Sequence, residues 1–344
     1  MATIKKYEID MLNVGAADAF LIHAFAISED GSEIEYVVLV DAGNEGDGEK
    51  IIEHIKKYYN QQYLDLVIIS HCDIDHYGGM KQLIDEHKSK RSSFEIKRVW
   101  VHDPYKHVDV DDVKYVRNQK TLRERLNAAY AFNDDSNLLE MLDSAKIPRE
   151  EVYTGDICPA LNITVLGPDL EYYESLIPEF RVNLDFKDEQ QDDVYDSYDC
   201  FRLTEDCFYS KTLDDADDDC SAVNQSSIVF LFEADGHKML FTGDAGKAAL
   251  RRVINKDKER NFVNVSWLKV PHHGSKHNLD NSIISHFHPT ISFISTEKIG
   301  KYANQCTINA LKKVSDVYST HKTGTLQYQH RTSDREGYST AKPL

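Results

Sequence analysis

Cysteine pairing is the first thing the sequence lacks: Cys72, Cys158, Cys200, Cys207, Cys220 and Cys306 include no CxxC pair. Cys200 and Cys207 stand too far apart for a zinc knuckle, and scattered cysteines in a reducing compartment are free thiols rather than a disulfide framework. No stretch approaches the roughly 20 apolar residues that cross a bilayer. The N-terminal MATIKKYEIDML has no apolar run of the secretory kind. A cytoplasmic chain without membrane contact is expected. Positive charge is also short. The 40 Lys and Arg stand against 58 Asp and Glu, a formal net charge of −18, which repels nucleic acid from the surface as a whole. The imbalance is local: between Asp185 and Cys220, 14 acidic residues face only Lys187, Arg202 and Lys211. Such a run is expected to be a solvated loop, or an insertion that shields a site or binds a protein partner beside it.

What the 344 residues do contain is alternation. The runs YEIDMLNV, DAFLIHAFAI and IEYVVLVDA have the period of consecutive antiparallel strands, the last two joined through SEDGSE. Strand and helix patterns then alternate: helix from about Asp47 to Tyr59, strand Leu64 to Ile69, helix Gly79 to His87, strand Ile96 to His102, and a long helix from about Asn118 to Leu142. NITVLGP reads as a strand and is followed by a short helix ending before Pro178. Beyond the acidic run, SSIVFLFEADGHKMLFTGD is a hairpin about Asp235-Gly236. Helix Lys247 to Asn255, strand SWLKVP, helix Asn278 to His286, strand TISFIST, helix Asn304 to Val314 and a last strand through GTLQYQH complete the plan, with the final ten residues frayed. The second half repeats the plan of the first without repeating its sequence. Packed face to face, the halves make one α/β domain over 1–344, a four-layer αββα sandwich of two mixed sheets. Helical and acidic insertions are expected at about 107–145 and 181–222.

Four polar clusters interrupt the pattern, each where an apolar strand stops: Asp41 in VLVDAG, the hexad of SHCDIDHYGG, Asp244 in LFTGDAG, and His272-His273 in KVPHHGS. Singly, each is a turn composition or an exposed loop. The hexad is harder to dismiss, because His71, Asp73, Asp75 and His76 would repel or desolvate one another without a cation to organise them. A calcium loop is excluded: counted from Asp73, position five is Tyr77 and position twelve Ile84, neither an oxygen ligand of the required kind.

In this order the stations resemble the metallo-β-lactamase superfamily. MLNVGAADAFLI, SHCDIDHYGG, NQSSIVFLFE with KMLFTGD, and LKVPHHGSK are similar to the β-lactamase-like domain of ComEC-type competence proteins, from about Glu8 to Leu326. The resemblance implies a dinuclear site of divalent metal ions. His71 and Asp73 would bind the first, Asp75 and His76 the second, and Asp244 both; one of His272 and His273 would complete the second, its neighbour contacting the substrate oxyanion. Asp41 would be structural, ordering the hexad loop. Two departures matter. Asp73 stands where a histidine is commoner, which hardens the site and makes Mn²⁺ or Mg²⁺ as suitable as Zn²⁺. The usual third-motif histidine is absent, with Asn224 nearest its place and His102 a spare candidate ligand at a strand end.

Two cations can acidify a shared water to a pKa of about 7 and clamp the attacking and leaving oxygens of an in-line displacement, which suits phosphodiesters. The expectation is a metal-dependent hydrolase using a metal-bridging hydroxide, a phosphodiesterase or nuclease, with Asp75 orienting the hydroxide. Gly78 and Gly79 would let the backbone pass close beneath the metals and start a helix whose positive end favours phosphate. Lys114, Arg117, Lys120, Arg123 and Arg125 form a basic strip that could track a nucleic acid backbone, or a solvated face paired with its own acids. Hydrolysis of a small phosphodiester, lactone or thioester, and a non-catalytic binding protein on the same fold, are the alternatives.

Overall fold

Two mixed sheets of seven strands each lie face to face among the described residues, one from each half of the chain except that the last strand joins the first sheet. The computed structural model describes residues 3–28, 30–109, 116–180, 212–219, 221–259, 261–300, 303–336, 338 and 340–344. The first half supplies β1 (Thr3–Met11), β2 (Ala19–Ile27), β3 (Glu33–Ala42), β4 (Tyr63–Leu64), β5 (Leu66–Ile68), β6 (Glu95–Ile96), β7 (Val99–Trp100) and β8 (Arg149–Glu150). The second supplies β9 (Ile157–Cys158), β10 (Ile163–Gly167), β11 (Val229–Ala234), β12 (His237–Phe241), β13 (Trp267–Lys269), β14 (Ile291–Ile294), β15 (Asp316–Ser319) and β16 (Leu326–His330). The first sheet runs β16-β1-β2-β3-β5-β7-β8 and the second β15-β14-β13-β12-β11-β10-β9, while β4 and β6 pair separately. In each sheet an antiparallel meander passes into parallel strands, at β3–β5 and at β12–β13. The repeated plan seen in the sequence is therefore a structural repeat.

Period-two alternation sorts the side chains into layers. Along β1 to β5, Tyr7, Ile9, Phe20, Ile22, Val38, Val40, Leu66 and Ile68 face the second sheet. Their neighbours Leu21, Val37, Leu39 and Val67 face an outer layer of helices. Burying each large apolar side chain contributes about 1.5–3 kcal/mol, so the layer between the sheets, with Phe20, Phe230, Phe241 and Trp267 in mutual ring contact, is the principal glue. Helices Asp47–Tyr58, Met80–Lys88 and Leu138–Ala145 cover the first sheet. Helices Lys247–Lys256, Asn281–Phe287 and Gln305–Leu311 cover the second. The αββα order is the expected one.

Several expectations need correction. The long helix from Asn118 to Leu142 is two helices, Val116–Ala128 and Leu138–Ala145. Between them the chain reverses at Tyr130 and Asp135, with φ of 60° and 62°, and the Asn137 side chain caps the second helix at the Leu139 amide. Asn133, Asp134, Asp135 and Ser136 are turn formers that outweigh the helical pattern on either side. Arg335 and Leu344, at the two ends of the last ten residues, are docked rather than frayed. Arg335 donates to Asp10 Oδ1 and Oδ2 at 3.1 and 2.7 Å and pairs with Glu8 on the outer face of β1. The Leu344 amide donates to the Val317 carbonyl. Strand β16 crosses back to pair with β1, Tyr7 opposite His330 and Met11 opposite Leu326. Most of the acidic run lies outside the described residues, as does Lys114 of the basic strip. Of that strip, Lys120 pairs with Glu124 and the Arg125 guanidinium donates to the Pro178 carbonyl.

Candidate metal centre

Parallel pairing puts the C-terminal ends of β3 and β5 on one rim, and those of β12 and β13 on the facing rim. Asp41, the hexad, Asp244 and the His272-His273 pair follow or end these strands, so residues some two hundred positions apart meet. The Asp41 carboxylate accepts from the Ser70 amide at 2.7 Å and from the Ser70 hydroxyl at 2.8 Å, and lies 2.9 Å from His76 Nδ1. It thereby ties the end of β3 to the hexad loop. Gly78 and Gly79 serve a different close approach from the one expected. A Cβ on Gly79 would lie 2.1 Å from the Ala42 carbonyl, and one on Gly78 2.4 Å from the Glu45 amide. They press the hexad helix against the turn after β3, and the start of the following helix is packed there rather than offered to a phosphate.

The rims meet at short range. His273 Nε2 lies 3.2 Å from Asp75 Oδ2 and 3.8 Å from Asp244 Oδ2, and His76 Nε2 lies 3.7 and 3.4 Å from the same two oxygens. His71 Nε2 is 3.6 Å from Asp73 Oδ2. His272 Nε2 is 4.0 Å from Asp244 Oδ2, at the open side, its side chain 23% exposed against 2% for His273. His272, His273 and Gly274 all adopt left-handed backbone, φ 46°, 52° and 89°. For non-glycine residues this costs of order 1–3 kcal/mol each and persists where the surroundings over-determine it. Here the His272 amide is held by Asp244 Oδ1 at 3.2 Å.

The four histidines share one feature that bears on metal binding. Each is tethered through Nδ1: His71 to the Ser70 and Ser227 hydroxyls (3.0 and 3.3 Å), His76 to Asp41, His272 to Asp219 (3.1 Å) and His273 to the Ser295 carbonyl (3.1 Å). A carbonyl or carboxylate can only accept, so Nδ1 of the last three carries the proton and Nε2 faces inward, the way metal-ligating histidines are usually oriented. His71 Nε2 and His76 Nε2 are buried without a hydrogen-bond partner among the described residues. Orphaned nitrogens of this kind, beside three carboxylates, fit divalent cations. His71, Asp73, Asp75, His76, Asp244 and His273 could hold them.

Charge balances this cage from behind. Lys269, buried at the end of β13, donates to the Gly243 carbonyl at 2.6 Å and to Asp244 Oδ1 at 3.1 Å, and pairs with Asp18. Ligand atoms of Asp18, His76, Asp244 and His273 lie within 4.8 Å of one another. The ammonium already sits between Asp18 and Asp244, which places Asp18 as support rather than as a ligand. Burial disfavours ionised Asp244, yet Lys269 and the histidines hold its carboxyl well below the ordinary range. Burial likewise opposes a charged His76, and Asp244, Asp75 and Asp41 outweigh it, holding that imidazole above its ordinary value. Asp18, Ser227, Lys269 and Asp219 were not singled out in the sequence. The one signal was Lys269 itself, a charge inside the apolar strand SWLKVP that must find a buried counter-ion.

His102 leaves the candidate ligands, and Asn224 takes a supporting place behind them. Asn224 directs its carboxamide to Asp219 Oδ2 at 2.8 Å, a brace behind His272. His102 donates through Nε2 to the Val152 carbonyl at 2.8 Å, stacks on Tyr153, and is pushed down to a pKa of about 4 by burial. It is a neutral structural histidine.

Residues 22–159 match the model of the metallo-beta-lactamase superfamily. With the two-sheet sandwich and the order of stations along its rim, this match supports membership of the metallo-β-lactamase superfamily. The chain is 23% identical over 337 residues to ComE operon protein 3 of Bacillus subtilis (strain 168), covering 94% of this chain. It spans only 33% of that longer protein. Among solved structures it is similar to the metallo-beta-lactamase fold protein YhfI from Bacillus subtilis, at TM-score 0.42 and 12% identity over 93% of this chain and 99% of that one. It is also similar to a long form RNase Z from yeast, at TM-score 0.37 and 13% identity over 85% of this chain and 37% of that one.

Proposed function

We propose that the protein is a metal-dependent phosphodiesterase, with nucleic acid as the leading substrate class. The observation that carries this is the carboxylate-rich cage: Asp75, His76, Asp244 and His273 within 3.2–3.8 Å contacts, beside His71 and Asp73, with imidazole Nε2 atoms turned inward. His71 and Asp73 would hold one divalent cation and Asp75, His76 and His273 a second, with Asp244 shared. Bound there, such cations supply an acidified water and neutralise charge on phosphoryl oxygens. The chain's own residues do the rest. Asp41 and Ser295 fix the rings of His76 and His273, Lys269 fixes Asp244 Oδ1 so that Oδ2 faces the cage, and His272 Nε2 meets a phosphoryl oxygen at the mouth. Asp73 in place of an imidazole favours harder cations, Mn²⁺ or Mg²⁺ alongside Zn²⁺, and oxygen-rich substrates. The protein partner expected for the acidic run falls on residues mostly outside those described.

The test is hydrolysis of single- and double-stranded DNA, RNA, bis(p-nitrophenyl) phosphate and a lactone by the purified protein, with EDTA or with added Zn²⁺, Mn²⁺ or Mg²⁺. Phosphodiester cleavage that requires metal and drops at least about 10³-fold in Asp244→Ala is expected. Lactone turnover without phosphodiester turnover overturns the reading in favour of another hydrolase. A metal-loaded wild type that cleaves none of these overturns it in favour of a binding protein.

A further inference from the structure

The described end of the acidic run, residues 212–219, exposes Thr212, Asp214, Asp215, Asp217 and Asp218 but is anchored to the protein between them. Lys247, 3% exposed, donates to the Ala216 carbonyl at 2.6 Å, and the Asp219 amide donates to the His277 carbonyl at 3.1 Å. The Asp219 side chain points into the protein and is fully engaged. Its Oδ2 accepts from Asn224 Nδ2 at 2.8 Å, Asn278 Nδ2 at 3.0 Å and His272 Nδ1 at 3.1 Å, and its Oδ1 accepts from the Ser221 amide at 2.9 Å. Two carboxamides and an amide thus fix the carboxylate before it meets the histidine. Asn278 also donates to the Asp244 carbonyl at 3.0 Å, tying this brace to the cage.

We infer that Asp219 is the positioning residue of the active site, holding the His272 ring so that Nε2 faces substrate at the mouth. Whether the ring is neutral or charged, the proton on Nδ1 goes to Asp219, because a carboxylate can only accept it. Asn224, near the place of the missing third-motif histidine, fixes Asp219 instead of a cation. The end of the acidic insertion is then a wall of the catalytic centre.

The role for His272 rests on the reading under Proposed function, and the test separates the two. Asp219→Asn keeps shape and removes charge. With bis(p-nitrophenyl) phosphate and Mn²⁺, kcat is expected to fall about 10–100-fold with bound metal unchanged, the range for partners that orient active-site histidines. In a His272→Ala background the same change is expected to cost nothing further. Additive losses, or an Asp219→Asn variant with wild-type kcat, overturn the inference. Nitrogen-15 histidine spectra read the wild type directly without turnover: a neutral His272 protonated at Nδ1 supports the inference, and one protonated at Nε2 overturns it. That measurement stands even if no phosphodiester is cleaved or Asp219→Asn does not fold.

Discussion

At the scale of single residues, the centre is organised by groups that do not themselves face substrate. Lys269 lies between Asp18 and Asp244, 2% exposed, with two carboxylates and a carbonyl for company. Removing one member of a buried charge set leaves the others uncompensated, at a cost of about 3–5 kcal/mol. Lys269→Met is expected to lose that much stability in urea unfolding of the metal-free protein, and adding Asp18→Asn should recover a large part of it. A Lys269→Met protein as stable as wild type would show that the ammonium does not balance the cage. The hexad and the double histidine are legible in the sequence because ionisable residues concentrated at strand ends have few structural uses. Asp219 is not legible, since in sequence it is one of 14 acids in a run whose bulk composition suggests solvent. Only folding separates it from its neighbours, turning it inward to His272.

At the scale of elements, strand ends and one glycine pair set the geometry. The first three strands and the hairpin at Asp235-Gly236 follow from period-two alternation and turn chemistry and lie as read, whereas the runs read as strands Leu64 to Ile69 and Ile96 to His102 each divide, β4 and β6 pairing apart from β5 and β7. What the pattern does not carry is the break at residues 129–137, where a turn overrides helix periodicity, and the short strands β8, β9 and β15, too brief to show a period. Gly79 is the most constrained position beside the hexad. Gly79→Ala would drive a Cβ into the Ala42 carbonyl and push the hexad away from Asp41. A loss of about 2–4 kcal/mol in thermal unfolding is expected, with Zn²⁺ affinity by titration calorimetry weakened in parallel. A variant that keeps both would place the rigidity of the hexad elsewhere.

Across the whole molecule, the chain closes on itself far from the centre. β16 joins the second half of the chain to the first sheet, and Arg335 seals the tail onto buried Glu8 and Asp10, beside His54 and Tyr59. Burial alone would raise the Asp10 pKa, but His54 and Arg335 outweigh it and hold the carboxyl below its ordinary value. A depressed carboxylate stabilises the fold above its unfolded pKa, about 3.9, and that contribution is lost as pH falls through the folded value. Arg335→Met is expected to cost about 3 kcal/mol at pH 7 and to flatten the acid limb of stability below about pH 4. Urea titrations at pH 7 and at pH 3 check both, and an unchanged acid limb would remove Asp10 from the explanation. None of this touches the facing rims, where the chemistry is proposed to lie. Anomalous diffraction from crystals loaded with Zn²⁺ measures that proposal most directly. Two peaks are expected, one within about 2.0–2.2 Å of ligand atoms of His71 and Asp73, the other equally close to Asp75, His76 and His273, both against Asp244. Bound zinc found only elsewhere, or crystals that bind none, would contradict it.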